Sequence, residues 1–214
     1  MTTIVAIHKP GFGTVIGSDQ QISSQSQKGF LTGGKWVRHG DWAIGISGAF
    51  RTLNLARNHA EQLLNNLDSA LEFTERLTEM LKSYGYTASM EESGPPMLGS
   101  GMLLASPIGV WSLDASMSVL DIAPNMLAAV GSGADYAAGS AHSTSHITDP
   151  VKRVTMAVSA SIAMDIASGG QVWLDTMRVS TARRKEVRAA VTEAISSMDQ
   201  KDREHIRTVL AGLA

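Results

Sequence analysis

The chain begins Met1-Thr2-Thr3-Ile4-Val5-Ala6-Ile7. Removal of Met1 would leave Thr2 carrying both a hydroxyl and a free α-amine. An α-amine titrates near pH ~8, against ~10.4 for a lysine side chain, so it can take a proton near neutrality. A threonine hydroxyl beside the chain's own amine is a recognised nucleophile–base pair. Two charged residues could serve it. Asp19 ends the apolar run Val15-Ile16-Gly17, and Lys35 follows Gly33-Gly34 and opens Trp36-Val37-Arg38. Taken alone, Lys35 reads as a surface lysine after a turn, because lysine is rarely fully buried. Beside Thr2 it would lower the hydroxyl pKa and offset the negative charge formed on attack. Asp19 would then hold the lysine's position and charge.

Small-residue segments supply further candidates. Gly45-Ile46-Ser47-Gly48-Ala49 closes a strand and enters a helix, so a glycine N–H there could serve as an oxyanion donor or only permit the turn. Gly131-Ser132-Gly133 invites a dinucleotide reading, but the third glycine is replaced by Tyr136 and the context is hairpins. Its alternative use is Ser132 as a hydrogen-bonding partner. Asp165 and Ser168 stand three apart before Gly169-Gly170, sharing one helical face near its end. They read either as a plain helix stop or as a pair orienting a nucleophile and its amine. His142 and His146 have metal-pair spacing, yet no acidic base lies between them and no third ligand accompanies them, which favours a solvated helix end. The run Arg183-Arg184-Lys185 reads as a solvated helix face.

The bulk properties narrow the classes. The 214 residues include no cysteine, so disulfides, thiolate metal sites and thiol nucleophiles are excluded. Net charge is −2 with basic residues scattered, which leaves no nucleic-acid footprint. No secretory signal opens the chain and no apolar run approaches the ~18 residues of a membrane span, so a cytoplasmic protein is expected.

These residues need a frame to hold them. Hairpins are expected where Ile4–Ile7 and Val15-Ile16 flank a Pro/Gly turn, and where 36–38 and 42–46 flank His39-Gly40-Asp41. Leu53, Ala56, Ala60, Leu63, Leu64 and Leu67 follow helical spacing, and Asp68 or Ser69 caps a second helix ending near Gly85. Thr87–Pro96 reads as a loop. Strands resume at 102–105, 110–113, 117–122 and 126–130, then a small-residue helix follows. Asp149-Pro150 starts a helix running to Ile166. A strand over 171–179 and helices from Arg183 and Asp199 complete the chain. Blocks of hairpins separated by helices predict an α+β fold, a four-layer αββα sandwich of two antiparallel sheets flanked by helices, as a single domain over 1–214.

In joint order, Thr2-Thr3-Ile4-Val5, Gly17-Ser18-Asp19, Lys35, Gly45–Ala49, Gly131-Ser132-Gly133 and Asp165–Gly170 resemble a proteasome β-type subunit, an N-terminal-nucleophile hydrolase. The resemblance runs from Thr2 to Val179. The chain is also similar to the peptidase subunit of the bacterial two-component ATP-dependent protease. Within the family it looks like a small bacterial homologue built from one subunit type. The resemblance implies a threonine endopeptidase without cofactor or metal. Thr2 would be the nucleophile, Asp19 and Lys35 the charged pair, and Ser132, Asp165 and Ser168 the cluster serving amine and lysine. Gly48 would be the oxyanion donor, and Ser23 and Ile46 would contact substrate, with an apolar specificity pocket. Partners would be identical subunits in a ring or stacked rings, a peptide or unfolded-protein substrate, and an ATP-dependent unfoldase. A silent ring subunit retaining Met1, and a small-molecule amidase, are the rival readings. No long propeptide precedes Thr2, so activation is expected to require only Met1 removal. The Pro10–Gly13 turn is longer than the family's usual one.

Overall fold

The computed structural model describes residues 2–24, 27–85 and 101–180, with Ala189 and Gln200 as isolated helical positions. Met1, the expected loop at 87–96 and, apart from those two positions, the expected helices from Arg183 and Asp199 lie outside the described residues. The chain divides into units Met1–Arg178 and Val179–Ala214, and every element named here belongs to the first.

In chain order the strands are β1 (Thr3–Lys9), β2 (Gly13–Ser18), β3 (Gln21–Ser24), β4 (Gln27–Phe30), β5 (Trp36–His39), β6 (Trp42–Ile46), β7 (Met102–Ser106), β8 (Gly109–Leu113), β9 (Val119–Asp121), β10 (Leu127–Gly131) and β11 (Trp173–Met177). The helices are α1 (Phe50–Asn58), α2 (Ala60–Leu64), α3 (Ala70–Ser83), α4 (Ala134–Ser143) and α5 (Pro150–Met164). One sheet has the order β10-β1-β2-β11, and a five-stranded sheet runs β5-β6-β7-β8-β9. All the pairings are antiparallel.

Period-two alternation sorts side chains into layers. Ile4 and Ala6 of β1 and Ile16 of β2 meet Ala43, Leu103 and Ala105 of the other sheet, forming the core between the sheets. Val5, Ile7 and Val15, on the opposite face, pack against Ala137 of α4 and Val154, Ala157 and Val158 of α5. Ile44, Met102 and Leu104 face Leu53, Leu63, Phe73 and Leu77 of α1–α3. The result is the αββα sandwich expected from the sequence. The sheets approach closely where Gly45 faces Ile4: a Cβ at Gly45 would lie 2.7 Å from Ile4 Cγ2.

The helix starts follow local chemistry. Ser69 Oγ accepts from Glu72 N at 3.1 Å while Glu72 Oε2 accepts from Asp68 N at 2.9 Å, a reciprocal cap that fixes the start of α3. Asp149 caps α5 through Val151 N at 2.9 Å, with Pro150 in the first turn.

Several expected boundaries move. The helical run expected over Leu53–Leu67 is broken at His59, whose backbone leaves helical geometry (φ −122°, ψ 26°). Met117 takes a left-handed φ of 65° in the turn from Asp114, so the strand expected from Met117 shrinks to β9. The helix expected to reach Ile166 ends at Met164, because the Asp165 carboxylate accepts from Ala167 N at 3.0 Å and turns the chain out of the helix. The strand expected over 171–179 is limited to β11 by its partner, since the ladder to β2 runs only from Trp173↔Ser18 to Met177↔Thr14. The β3–β4 hairpin was not expected from the sequence at all.

Candidate active site

Three strand ends and one helix end converge on Thr2. The residue precedes β1, an inner strand of its sheet, and is 6% exposed. Its nitrogen donates to Ser132 Oγ at 3.2 Å, just past the end of β10. Ser132 Oγ in turn donates to Asp165 Oδ2 at 2.7 Å, at the end of α5. When Met1 is cleaved, this nitrogen becomes the α-amine, already joined to a carboxylate through one hydroxyl. Gly131 makes the approach possible. It has a φ of 103°, and a Cβ there would sit 1.9 Å from the Thr2 carbonyl oxygen.

A second relay runs beside the first. Ser168 Oγ donates to Asp165 Oδ2 at 2.8 Å, so its 2.8 Å contact with Thr3 Oγ1 must be donated by Thr3. Burial opposes ionisation of Asp165, but the bonds from Ser132, the Ala167 amide and Ser168 outweigh it and hold the carboxyl below its usual range. Thr3 faces this way because alternation along β1 sets it on the same side as Val5 and Ile7, toward α4 and α5.

The charged pair lies on the other side. Lys35 Nζ donates to Asp19 Oδ1 at 2.7 Å, with side chains 2% and 0% exposed. Asp19 Oδ1 also accepts from Thr3 N at 2.9 Å, and Oδ2 accepts from Gln21 N at 3.1 Å and Gly169 N at 3.0 Å. A buried carboxylate needs this degree of satisfaction. Ser18 Oγ sets the geometry of the pair by donating to the Asp19 carbonyl at 2.8 Å and accepting from Lys35 N at 2.9 Å. Burial pushes the Lys35 ammonium down from its ordinary value, while the Asp19 charge and hydrogen bond resist. Such a lysine is a stronger proton donor than an exposed one and keeps a fixed position.

Thr2 and Lys35 line one cavity of about 250 Å³. Ser23 and Ile46 line it as well, and so does Gly48, whose φ of 118° suits glycine. The remaining walls are Ile22, Leu31, Ala49, Phe50 and Leu53. The space is smaller than the usual ~300–1,000 Å³ of small-molecule sites and has the size of a single side chain rather than of a whole ligand.

The structure thus gathers Thr2, Asp19, Lys35, Ser132, Asp165 and Ser168 into one network, and sets Gly48, Ser23 and Ile46 around the adjoining cavity. Sequence reasoning did not single out Ser18, Gln21 or the side chain of Thr3. A polar residue on an otherwise apolar strand, as Thr3 is, was the available signal. His142 and His146 lie on and just after α4, outside this network.

No protein-family profile matches the chain, and no curated protein matches it. Solved structures do. Thiobacillus denitrificans BPH, a bacterial proteasome homologue, superposes with a TM-score of 0.69 at 24% identity, over 84% of this chain and 100% of that one. The same protein in complex with epoxomicin gives a TM-score of 0.71 at 23% identity and the same coverage. Eukaryotic HslV from Trypanosoma brucei gives 0.60 at 18% identity, over 83% of this chain and 100% of that one. The chain therefore shares the fold of these proteins.

Proposed function

We propose that this chain, which has the fold of proteasome-type peptidases, is a threonine endopeptidase subunit of a self-compartmentalising ring protease. The observation that carries the reading is the Thr2 nitrogen, bonded through Ser132 to Asp165 at a cavity shared with the buried Lys35. After loss of Met1, the Thr2 hydroxyl attacks a peptide carbonyl and gives its proton to its own amine. The Lys35 ammonium stabilises the oxygen during attack, and the Gly48 N–H receives the carbonyl oxygen as it becomes an oxyanion. The tetrahedral intermediate collapses to an ester on Thr2, and the leaving amine takes the proton from the α-ammonium. Water, deprotonated by the same amine, then hydrolyses the ester. Ile46, Leu31 and Leu53 favour an apolar side chain ahead of the scissile bond. A site that reads only one apolar side chain would cut many proteins, which favours enclosure by identical subunits, and a cytoplasmic setting with an ATP-dependent unfoldase belongs to the same reading.

Turnover of a fluorogenic peptide bearing an apolar residue before the amide tests this. Thr2→Ala should abolish hydrolysis while the thermal melt stays close to wild type. Lys35→Ala should come close to the same loss. Undiminished hydrolysis by Thr2→Ala, or complete retention of Met1 in the mass spectrum of active protein, would overturn it. Native mass spectrometry reads the ring directly.

A further inference from the structure

Gln21 stands behind the network, and the reaction outlined above gives it no task. It is 2% exposed. Its Nε2 donates to Ser23 Oγ and to the Ile166 carbonyl, each at 3.1 Å. That carbonyl fixes the orientation of the amide, since an oxygen in the Nε2 position would face it. Oε1 is consequently turned toward Gly169 and, among the described residues, is buried without a hydrogen-bond partner. A buried acceptor that no protein group satisfies is costly, so the bonds made by the rest of Gln21 must hold the amide in this orientation. The Gln21 backbone adds to the tie: its N–H meets both Asp19 Oδ2 and the Gly169 carbonyl at 3.1 Å. One residue therefore touches the cavity wall on β3 through Ser23, the charged pair through Asp19, and the loop that carries Asp165.

We propose that Gln21 is a positioning residue that anchors the 165–169 loop to β3 and so holds Asp165 beneath Ser132 and the Thr2 amine. The proposal rests on the N-terminal-nucleophile reading and adds to it a link between the cavity wall and the base. Ionisable groups flank Thr2 on two sides: Asp165, at the end of α5, is joined to its nitrogen through Ser132, and the Asp19–Lys35 pair, from the end of β2 and the segment before β5, meets it at the shared cavity. Only the first is held through the Ile166 carbonyl.

The test uses the mature full-length chain and the variants Gln21→Met and Gln21→Asn. The methionine is neutral and of similar length but lacks the N–H donors, and the asparagine keeps the amide one methylene short. Misplacement of a positioning group by about 1 Å can cost on the order of a hundred-fold, so kcat should fall about ten- to a hundred-fold with KM within about three-fold. The Asp165 carboxylate favours the protonated amine. Its displacement should lower the amine pKa and move the acidic limb of the kcat profile to lower pH. The same shift should appear when the Thr2 amine is titrated by NMR, a measurement that needs no turnover. In an Asp165→Asn background the Gln21 substitutions should add almost nothing to the titration shift, because both act on one carboxylate. Additive effects, a rise in KM alone, or an unmoved amine titration would overturn the proposal. Hydrolysis by Thr2→Ala, or retention of Met1, would instead remove the reading on which it rests.

Discussion

Thr2 and Thr3 are chemically alike and neighbours, yet the strand sends them to different partners. The Thr2 side chain borders the cavity with Lys35, while Thr3 bonds Ser168 behind it. Charge governs the rest of the residue scale. Lys35→Met would leave Asp19 ionised and buried with only amide donors, and breaking such a pair typically costs about 3–5 kcal/mol. A lowered urea midpoint should report the loss, and adding Asp19→Asn should recover much of it. Asp165 behaves differently, because it is partly solvated and its carboxyl is held below its usual range by hydrogen bonds. Its contribution is complete above the unfolded carboxyl pKa of ~3.9 and disappears as pH falls through the lower folded value. Stability of Asp165→Asn, followed by urea denaturation from neutral pH into that acid range, should fall less steeply than that of the wild type.

At the scale of elements, the N-cap positions of α4 and α3 make a contrast. A Cβ at Gly133 would lie 2.0 Å from Thr3 Oγ1 and 3.1 Å from Ser168 Oγ. Gly133→Ala should therefore disrupt the Thr3–Ser168 contact and lower kcat as well as the melting temperature. Ser69→Ala removes a cap in a different layer and should cost about 1 kcal/mol with peptide turnover unchanged. What could be read in advance follows the same division. The paired strands around 4–16 and 36–46 were legible because Pro and Gly turns separate apolar runs, and α5 was legible from Asp149-Pro150. The β3–β4 hairpin was not, because Gln21-Ile22-Ser23-Ser24 and Gln27-Lys28-Gly29-Phe30 carry no alternation and form a small two-stranded sheet of their own. For the site, Thr2, Asp19 and Lys35 drew notice by residue type, and the resemblance assigned their roles. Ser18 and Gln21 act through backbone atoms and contacts as distant as Ile166, so no local spacing announces them.

At the scale of the whole molecule, the core between the sheets is the structure that keeps the network closed. Leu103 is fully buried there beside Ile4 and Ile16. Leu103→Ala should cost about 2–5 kcal/mol, visible in the urea midpoint, because the facing sheets cannot collapse freely onto the void. The same rigidity acts on the chain start. Thr2 is tethered through Ser132 immediately ahead of an inner strand, with a glycine admitting its carbonyl at the closest approach. A purification tag fused in front of Met1 would therefore act as a cork, keeping the nitrogen acylated and obstructing the mouth of the cleft. A protease-cleavable tag whose removal leaves Thr2 first would serve as a switch, releasing activity on demand.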